Sequence, residues 1–197
     1  MSAPPAPPIV LASTSPQRRA ILEQLRIPFE VVAPEYAEHD PPEANAIELV
    51  REHARGKAHS VARDGDERPV LGVDTAVVRG GRIYGKARDA AEAEAMLEAL
   101  SGRTHLVVSG LCLVTPGWEV VEHASTRVTF RPLTARDLAA YVASGEWEGR
   151  AGAYAIQGLG ASLVRSIEGD YLNVVGLPVS LLVRLLAERF AGTYGFG

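Results

Sequence analysis

Apolar positions along this chain fall into two patterns, short continuous runs and stripes at helical spacing, with polar turn residues between them. The run Ile9-Val10-Leu11-Ala12 predicts a buried strand. It leads directly into Ser13-Thr14-Ser15-Pro16, where Ser15 suits a helix N-cap and Pro16 the first helical turn. Ile21, Leu22 and Leu25 give that helix one apolar side, Pro28 closes the region, and residues 29–32 predict a second strand. After a proline-broken loop around residues 34–42, Ile47, Val50, Ala54, Ala58 and Val61 predict a long amphipathic helix over 46–63. Residues 70–78 predict a strand, Gly80-Gly81 a two-residue hairpin turn, residues 82–84 the returning strand, and 89–100 a helix. Two longer strands follow at 106–114 and 120–130, joined at Pro116-Gly117. Helical patterns recur at 134–144 and 178–190, separated by Gly-rich loops and a strand at 162–167. βα units mixed with hairpins predict an α/β fold on a mixed, twisted sheet flanked by helices.

The length of 197 residues fits one full-size domain, and no 20 to 50 residue repeat or low-complexity linker divides it. We expect a Pro-rich flexible arm over 1–8, a single body over 9–190 and a short tail over 191–197. Apolar residues at 47% and charged residues at 22% are ordinary globular usage and argue against disorder. With 20 Lys+Arg against 24 Asp+Glu the formal charge is -4, so no broad basic field exists for a nucleic-acid polymer. Any phosphate must be held locally. Cys112 is the single cysteine, which excludes an intrachain disulfide and a Cys-rich zinc site and fits core packing in a reducing compartment. No apolar run approaches the roughly 18 residues of a membrane span.

Four stretches could carry chemistry. In STSPQRR, residues 13–19, a strand-to-helix junction presents free N–H groups and the positive end of a helix dipole. Ser13, Ser15 and Arg18 could complete an anion site there. An ordinary Ser-Pro cap followed by solvated arginines fits these residues equally well. In GVDTAVV, residues 72–78, Asp74 and Thr75 interrupt an apolar strand, and a carboxylate is costly there unless paired, metal-bound or catalytic. A surface position at a strand end is the alternative. Lys57 and Lys86 each follow a glycine, and taken singly each reads as a solvated lysine. In residues 151–178, Gln157 sits between apolar residues and glycines, where its amide could present a donor and an acceptor to a base edge. A Gly-rich surface loop is the plainer reading.

Two apparent motifs fail. GGRIYGK at 80–86 has the G-x-x-x-x-G-K spacing, but Ala87 stands where Ser or Thr is required and the glycines suit a hairpin. Gly158-Leu159-Gly160 lacks the third glycine, since residue 163 is Leu. Histidines 39, 53, 59, 105 and 123 show no H-E-x-x-H spacing, which argues against a histidine-built zinc site.

Taken in order, LASTSPQRRAIL, ARGKA, LGVDTAVV, IYGKARD, LSGRTH, VTFRPL, AGAYAIQGLG and GDYLNVVGLP resemble the Maf family of nucleoside triphosphate pyrophosphatases from about Ile9 to Leu186. The resemblance implies an elongated mixed sheet in two lobes with a nucleotide in a central cleft, as in Maf and ITPase-like folds. It further implies a possible homodimer, cytoplasmic housekeeping of the nucleotide pool, and a tie to septum formation. It also implies hydrolysis of a nucleoside triphosphate between its α and β phosphates, with a divalent metal, Mg or Mn. Asp74 matches the family's proton acceptor, and Glu38 of APEYAEHD joins Asp74 near the metal. Ser13, Ser15, Arg18, Lys57 and Lys86 are then expected to hold phosphate oxygens.

Base choice is expected from Gln17, Thr75 and Gln157. Thr75 and Gln157 resemble the subgroup preferring dTTP and UTP. Gln17 matches neither the Arg of that subgroup nor the Trp of the subgroup preferring 7-methyl-GTP, and Ala87 replaces the usual Pro after Gly85-Lys86. A pyrimidine bias is therefore expected. A pyrophosphatase selective for a modified nucleotide such as 7-methyl-GTP, or a nucleotide-responsive binding protein that regulates division, stands as the alternative.

Overall fold

A computed structural model describes residues 6–41 and 44–196; residues 1–5 of the expected arm, Pro42 and Glu43, and Gly197 of the tail lie outside them. The order is β1 (Ile9–Ala12), α1 (Pro16–Gln24), β2 (Phe29–Val32), α2 (Ala46–Val61), β3 (Val70–Arg79), β4 (Arg82–Tyr84), α3 (Ala90–Leu100), β5 (Thr104–Thr115), β6 (Trp118–Phe130), α4 (Ala135–Ala143), β7 (Val164–Glu168), α5 (Tyr171–Val175) and α6 (Val179–Phe190). The strands form one mixed seven-stranded sheet in the order β2-β1-β3-β5-β6-β7, with β4 paired to β3. Strand β1 runs parallel to both β2 and β3, whereas β3 with β4 and β6 with β7 are antiparallel. The expected α/β class on a mixed sheet is what forms.

The hairpin glycines, Gly80 at φ 59 and Gly81 at φ 79, adopt the left-handed conformation a two-residue turn requires, which removes the phosphate-loop reading of GGRIYGK. Two elements differ from expectation. Residues 158–163 form a 3-10 turn, so the last strand begins at Val164 rather than at residue 162. Residues 171–175 form one helical turn, α5, where a loop was expected. Asp170 starts it by accepting the N–H groups of Leu172 and Asn173, at 2.8 and 3.2 Å, a local polar signal with no apolar period to betray it.

The chain divides into two compact units, residues 1–74, 109–124 and 176–197 in one and 75–108 and 125–175 in the other; β3, β5 and β6 contribute residues to both. In the first unit a core of Val10, Ala12, Ala54, Ala58, Val61, Val70, Cys112 and Val114 joins α2 to the sheet. The helix backbone lies directly on two glycines: a Cβ at Gly72 would fall 2.0 Å from the Ala54 carbonyl oxygen, and one at Gly110 would fall 2.1 Å from that of Val50. Cys112 is fully buried, and burial, with Glu119 nearby, pushes its thiol up to about 12. The tail is anchored by Tyr194, which is buried and donates from Oη to the Pro7 carbonyl at 2.9 Å.

The second unit packs α3 and α4 residues around Phe130, Tyr154 and Trp147. His105, Phe130 and Tyr154 stack edge to face, with centroids 4.8 to 5.5 Å apart, and His105 Nε2 is 2.9 Å from Tyr154 Oη. Desolvation by burial, with Arg79 adding to it, lowers the pKa of His105 to about 4. Asn173, on α5, donates to the Val107 carbonyl and to Thr126 Oγ1, both at 3.0 Å, and so ties its turn to β5 and β6. Among the described residues no helix is long and apolar enough to cross a membrane.

Candidate active site

The strand-to-helix junction forms as its residue types dictate. Ser15 is the N-cap of α1 and its Oγ accepts from the Arg18 N–H at 3.5 Å, with Pro16 in the first turn. Ser13 Oγ accepts from the Ser15 N–H at 3.2 Å and from Arg18 Nη1 at 3.1 Å. Arg18 Nε donates to the Gly176 carbonyl at 2.9 Å, and Ser15 Oγ donates to Gln17 Oε1 at 3.2 Å. Ser13, Ser15, Gln17 and Arg18 are thereby brought together at the positive end of a helix dipole. Desolvation lowers the pKa of Arg18, while the charges of Asp74 and Glu38 oppose that shift, so the guanidinium stays a cation.

The inward face of α2 is Leu49, Val50, His53, Ala54, Lys57, Ala58 and Val61. Two polar residues one turn apart thus sit in an apolar stripe. Lys57 is not the solvated helix lysine that its sequence surroundings suggest: it is only 8% exposed, and its Nζ lies 2.5 Å from Glu38 Oε1 and 2.6 Å from Asp74 Oδ1. His53, 2% exposed, reaches Asp74 Oδ2 from Nδ1 at 3.5 Å, while its Nε2 lies 3.4 Å from the His39 carbonyl and 3.5 Å from Asp40 Oδ1. The Tyr36 ring stands edge-on to His53 at 5.7 Å and occupies the space that any side chain at Gly56 would need.

Asp74 lies in the interior of β3, not at its end. Burial alone would raise its pKa, but the His53 hydrogen bond, the Lys57 ammonium and the Arg18 guanidinium outweigh it and hold the carboxyl well below the usual range. The hydrogen bond to Asp74 in turn raises the pKa of His53, against the effect of burial. An ionised carboxylate, an imidazole and two cations are held within one small region.

Glu38, His53 and Asp74 each offer one ligand atom, all within 4.8 Å of one another. Two carboxylate oxygens and one imidazole nitrogen form an anionic donor set, mainly of hard oxygens, that suits a small divalent cation with remaining positions left to water or phosphate oxygens. The residues fit such an ion. His53 is the member that motif spacing misses. Its signal was the stripe itself, since a histidine and a lysine four apart among Leu49, Val50, Ala54, Ala58 and Val61 cannot both be solvated.

The remaining candidates, Thr75, Lys86 and Gln157, belong to the second unit. Thr75 follows Asp74 along β3 and is part-buried. Lys86 is exposed and its backbone bridges to Ala151, beside which the Gly152 N–H donates to the carbonyls of Tyr84 and Gly85, both at 3.0 Å. Gln157 is exposed at the N-cap of the 3-10 turn, and its side chain makes no capping bond there.

The Maf-like protein family model matches residues 8–189 of this chain. A dTTP/UTP pyrophosphatase of Nitratidesulfovibrio vulgaris is 51% identical over 188 residues, covering 94% of this chain and 90% of that protein. A protein of the same name from Symbiobacterium thermophilum is 46% identical over 91% of this chain and 93% of its own length. Another from Deinococcus radiodurans is 43% identical over the full length of both. Among solved structures, the Staphylococcus aureus Ham1 protein superposes with a TM-score of 0.45 at 17% identity, over 63% of this chain and 72% of that chain, too distant to carry an argument.

Proposed function

This chain belongs to the Maf-like protein family, and we propose that it hydrolyses nucleoside triphosphates at the α–β phosphoanhydride, preferring dTTP and UTP and releasing a nucleoside monophosphate and pyrophosphate. The observation that carries this reading is near-full-length similarity, at 43% to 51% identity, to proteins named dTTP/UTP pyrophosphatase. The geometry supplies the chemical support. Phosphate oxygens are bound by the Ser13 and Ser15 hydroxyls, the amides at the start of α1 and the Arg18 guanidinium, with Lys57 adding charge. Glu38, His53 and Asp74 would hold Mg²⁺ or Mn²⁺, which supplies positive charge against the phosphate oxygens.

Asp74 takes the proton of the attacking water. In the free chain its basicity is suppressed by His53, Lys57 and Arg18. With Lys57 and Arg18 drawn toward the phosphates, the carboxylate stays ionised beside the cation it would help to hold and is available to orient the attacking water and accept its proton. Gln157 presents an amide donor and acceptor that complement the mixed edge of uracil or thymine, with Thr75 beside the chemistry and Gln17 near the phosphates as further specificity positions. Gln17 offers no delocalised cation, so the preference is a bias with leakage into other bases. We place the activity in the reducing cytoplasm and in a homodimer, the latter tested by light scattering during size exclusion.

The test incubates dTTP, UTP, CTP, GTP, ATP and 7-methyl-GTP with Mg²⁺ or Mn²⁺ and resolves monophosphate, diphosphate, pyrophosphate and phosphate. Monophosphate with pyrophosphate, fastest from dTTP and UTP, is expected. Diphosphate with phosphate as the main products overturns the cleavage site, and strong selectivity for 7-methyl-GTP overturns the base assignment.

A further inference from the structure

Gln157 begins a 3-10 turn, and N-cap residues ordinarily spend their side chains on the free N–H groups that follow. Here another residue satisfies them. Glu146, in the turn after α4, accepts from the Leu159 N–H through Oε1 at 3.0 Å and from the Gly160 N–H through Oε2 at 3.1 Å. One carboxylate thus caps two successive amides from outside the segment, and the Gln157 amide is left out of the capping.

The surrounding residues are fitted to this arrangement. Gly158 has φ +74, and a Cβ there would lie 2.6 Å from Glu146 Oε1, so only glycine lets the carboxylate approach. A Cβ on Gly160 would lie 1.9 Å from the Ala155 carbonyl oxygen. On the other side of Gln157, the Ala155 N–H donates to Tyr141 Oη at 2.9 Å. Glu146 itself is set by its own N–H donating to Ser144 Oγ at 3.2 Å, while Trp147 Nε1 donates to the Val142 carbonyl at 3.0 Å. Both flanks of Gln157 are therefore tied to the end of α4.

We infer that Glu146 is a positioning residue for base selection: it caps the 3-10 turn in place of Gln157 and holds the Gln157 amide free and aimed for the nucleobase. The inference rests on the reading that Gln157 contacts the base. Loss of the clamp lets the segment 157–160 move and turns the Gln157 side chain back onto the uncapped amides. Selection weakens while the phosphate chemistry continues.

The experiment compares wild type, Glu146→Ala, Glu146→Gln, Gln157→Ala and the neighbouring Glu148→Ala, measuring kcat and KM for dTTP and GTP, amide exchange at 159 and 160, and thermal midpoints. Glu146→Ala is expected to cut the dTTP/GTP ratio of kcat/KM by about tenfold, chiefly through KM for dTTP, with faster exchange at both amides. Glu146→Gln, which keeps one acceptor oxygen, falls between, and serves if the alanine variant fails to fold. Glu148→Ala is expected to match wild type. A ratio unchanged in a folded Glu146 variant, with Gln157→Ala flattening it, overturns the inference alone. A ratio unchanged in Gln157→Ala overturns the base-contact reading and the inference with it. Equal loss of kcat on both substrates in Glu146→Ala reduces Glu146 to a structural residue and overturns the positioning role.

Discussion

The pairing of Lys57 with Asp74 can be measured by removing each partner and then both. Their charged atoms are 2.6 Å apart, and both side chains are largely shielded from solvent. At an effective dielectric of about 20, unit charges at that distance attract by about 6 kcal/mol, most of which offsets the cost of taking both from water. Removing one partner strands the other. Lys57→Met leaves Asp74 with His53 and Arg18 as its remaining support and should cost about 3 kcal/mol. Asp74→Asn should cost about 2 kcal/mol, because Lys57 keeps Glu38 at 2.5 Å. The double variant has no stranded charge on this axis, so its loss should fall short of the sum by about 2 kcal/mol. Urea unfolding at neutral pH with a chelator present measures all four proteins without interference from bound cation. Turnover reports separately, since Asp74→Asn alone should lower kcat by roughly 10² to 10⁴. Additivity of the two single losses within about 0.5 kcal/mol would refute the coupling.

Removing divalent cations with a chelator should stop turnover while leaving the chain folded, at most lowering the thermal midpoint by the binding free energy of the ion, because Lys57 and Arg18 already compensate Glu38 and Asp74; unfolding by the chelator contradicts this. His105 has a folded pKa of about 4 against an ordinary 6.5, so its contribution is complete above pH 6.5, is lost as pH falls toward 4, and is constant below. Relative to His105→Gln, wild-type stability should therefore drop by about 3 kcal/mol across that window, read from urea midpoints, and parallel pH curves sink the assignment. Gly72→Ala should destabilise by about 3 kcal/mol, since the new Cβ meets the Ala54 carbonyl at 2.0 Å and helix backbone cannot yield as a side chain can; a neutral thermal shift would show that α2 rides freely on β3.

Much of this molecule is legible in its sequence where one physical signal dominates. Ser15-Pro16 specifies the start of α1, and Gly80-Gly81 specifies the hairpin, because each demands a backbone conformation few other residues supply. Asp74 stood out because a carboxylate inside an apolar run must find partners. Those partners were harder to see: Lys57 and His53 come from a helix whose polar residues read locally as solvent-facing, and only their place in the apolar stripe reveals burial. The turn at Tyr171–Val175 and the 3-10 turn after Gln157 lay beyond pattern reading. Their amides are satisfied by single carboxylates, Asp170 from next door and Glu146 from more than ten positions away, and neither leaves a periodic trace.

The burial of Cys112 gives the protein a useful experimental property. With a thiol pKa near 12 and no exposed surface, fewer than roughly one molecule in a thousand carries a thiolate at neutral pH, and reagents cannot reach it. The native chain is thus already a silent background for thiol chemistry. A cysteine introduced at Leu159, which is 58% exposed and two residues from Gln157, becomes the single reactive handle on the molecule. A spin label or fluorophore placed there would follow the 157–160 segment as nucleotides bind, with no prior substitution of the natural cysteine.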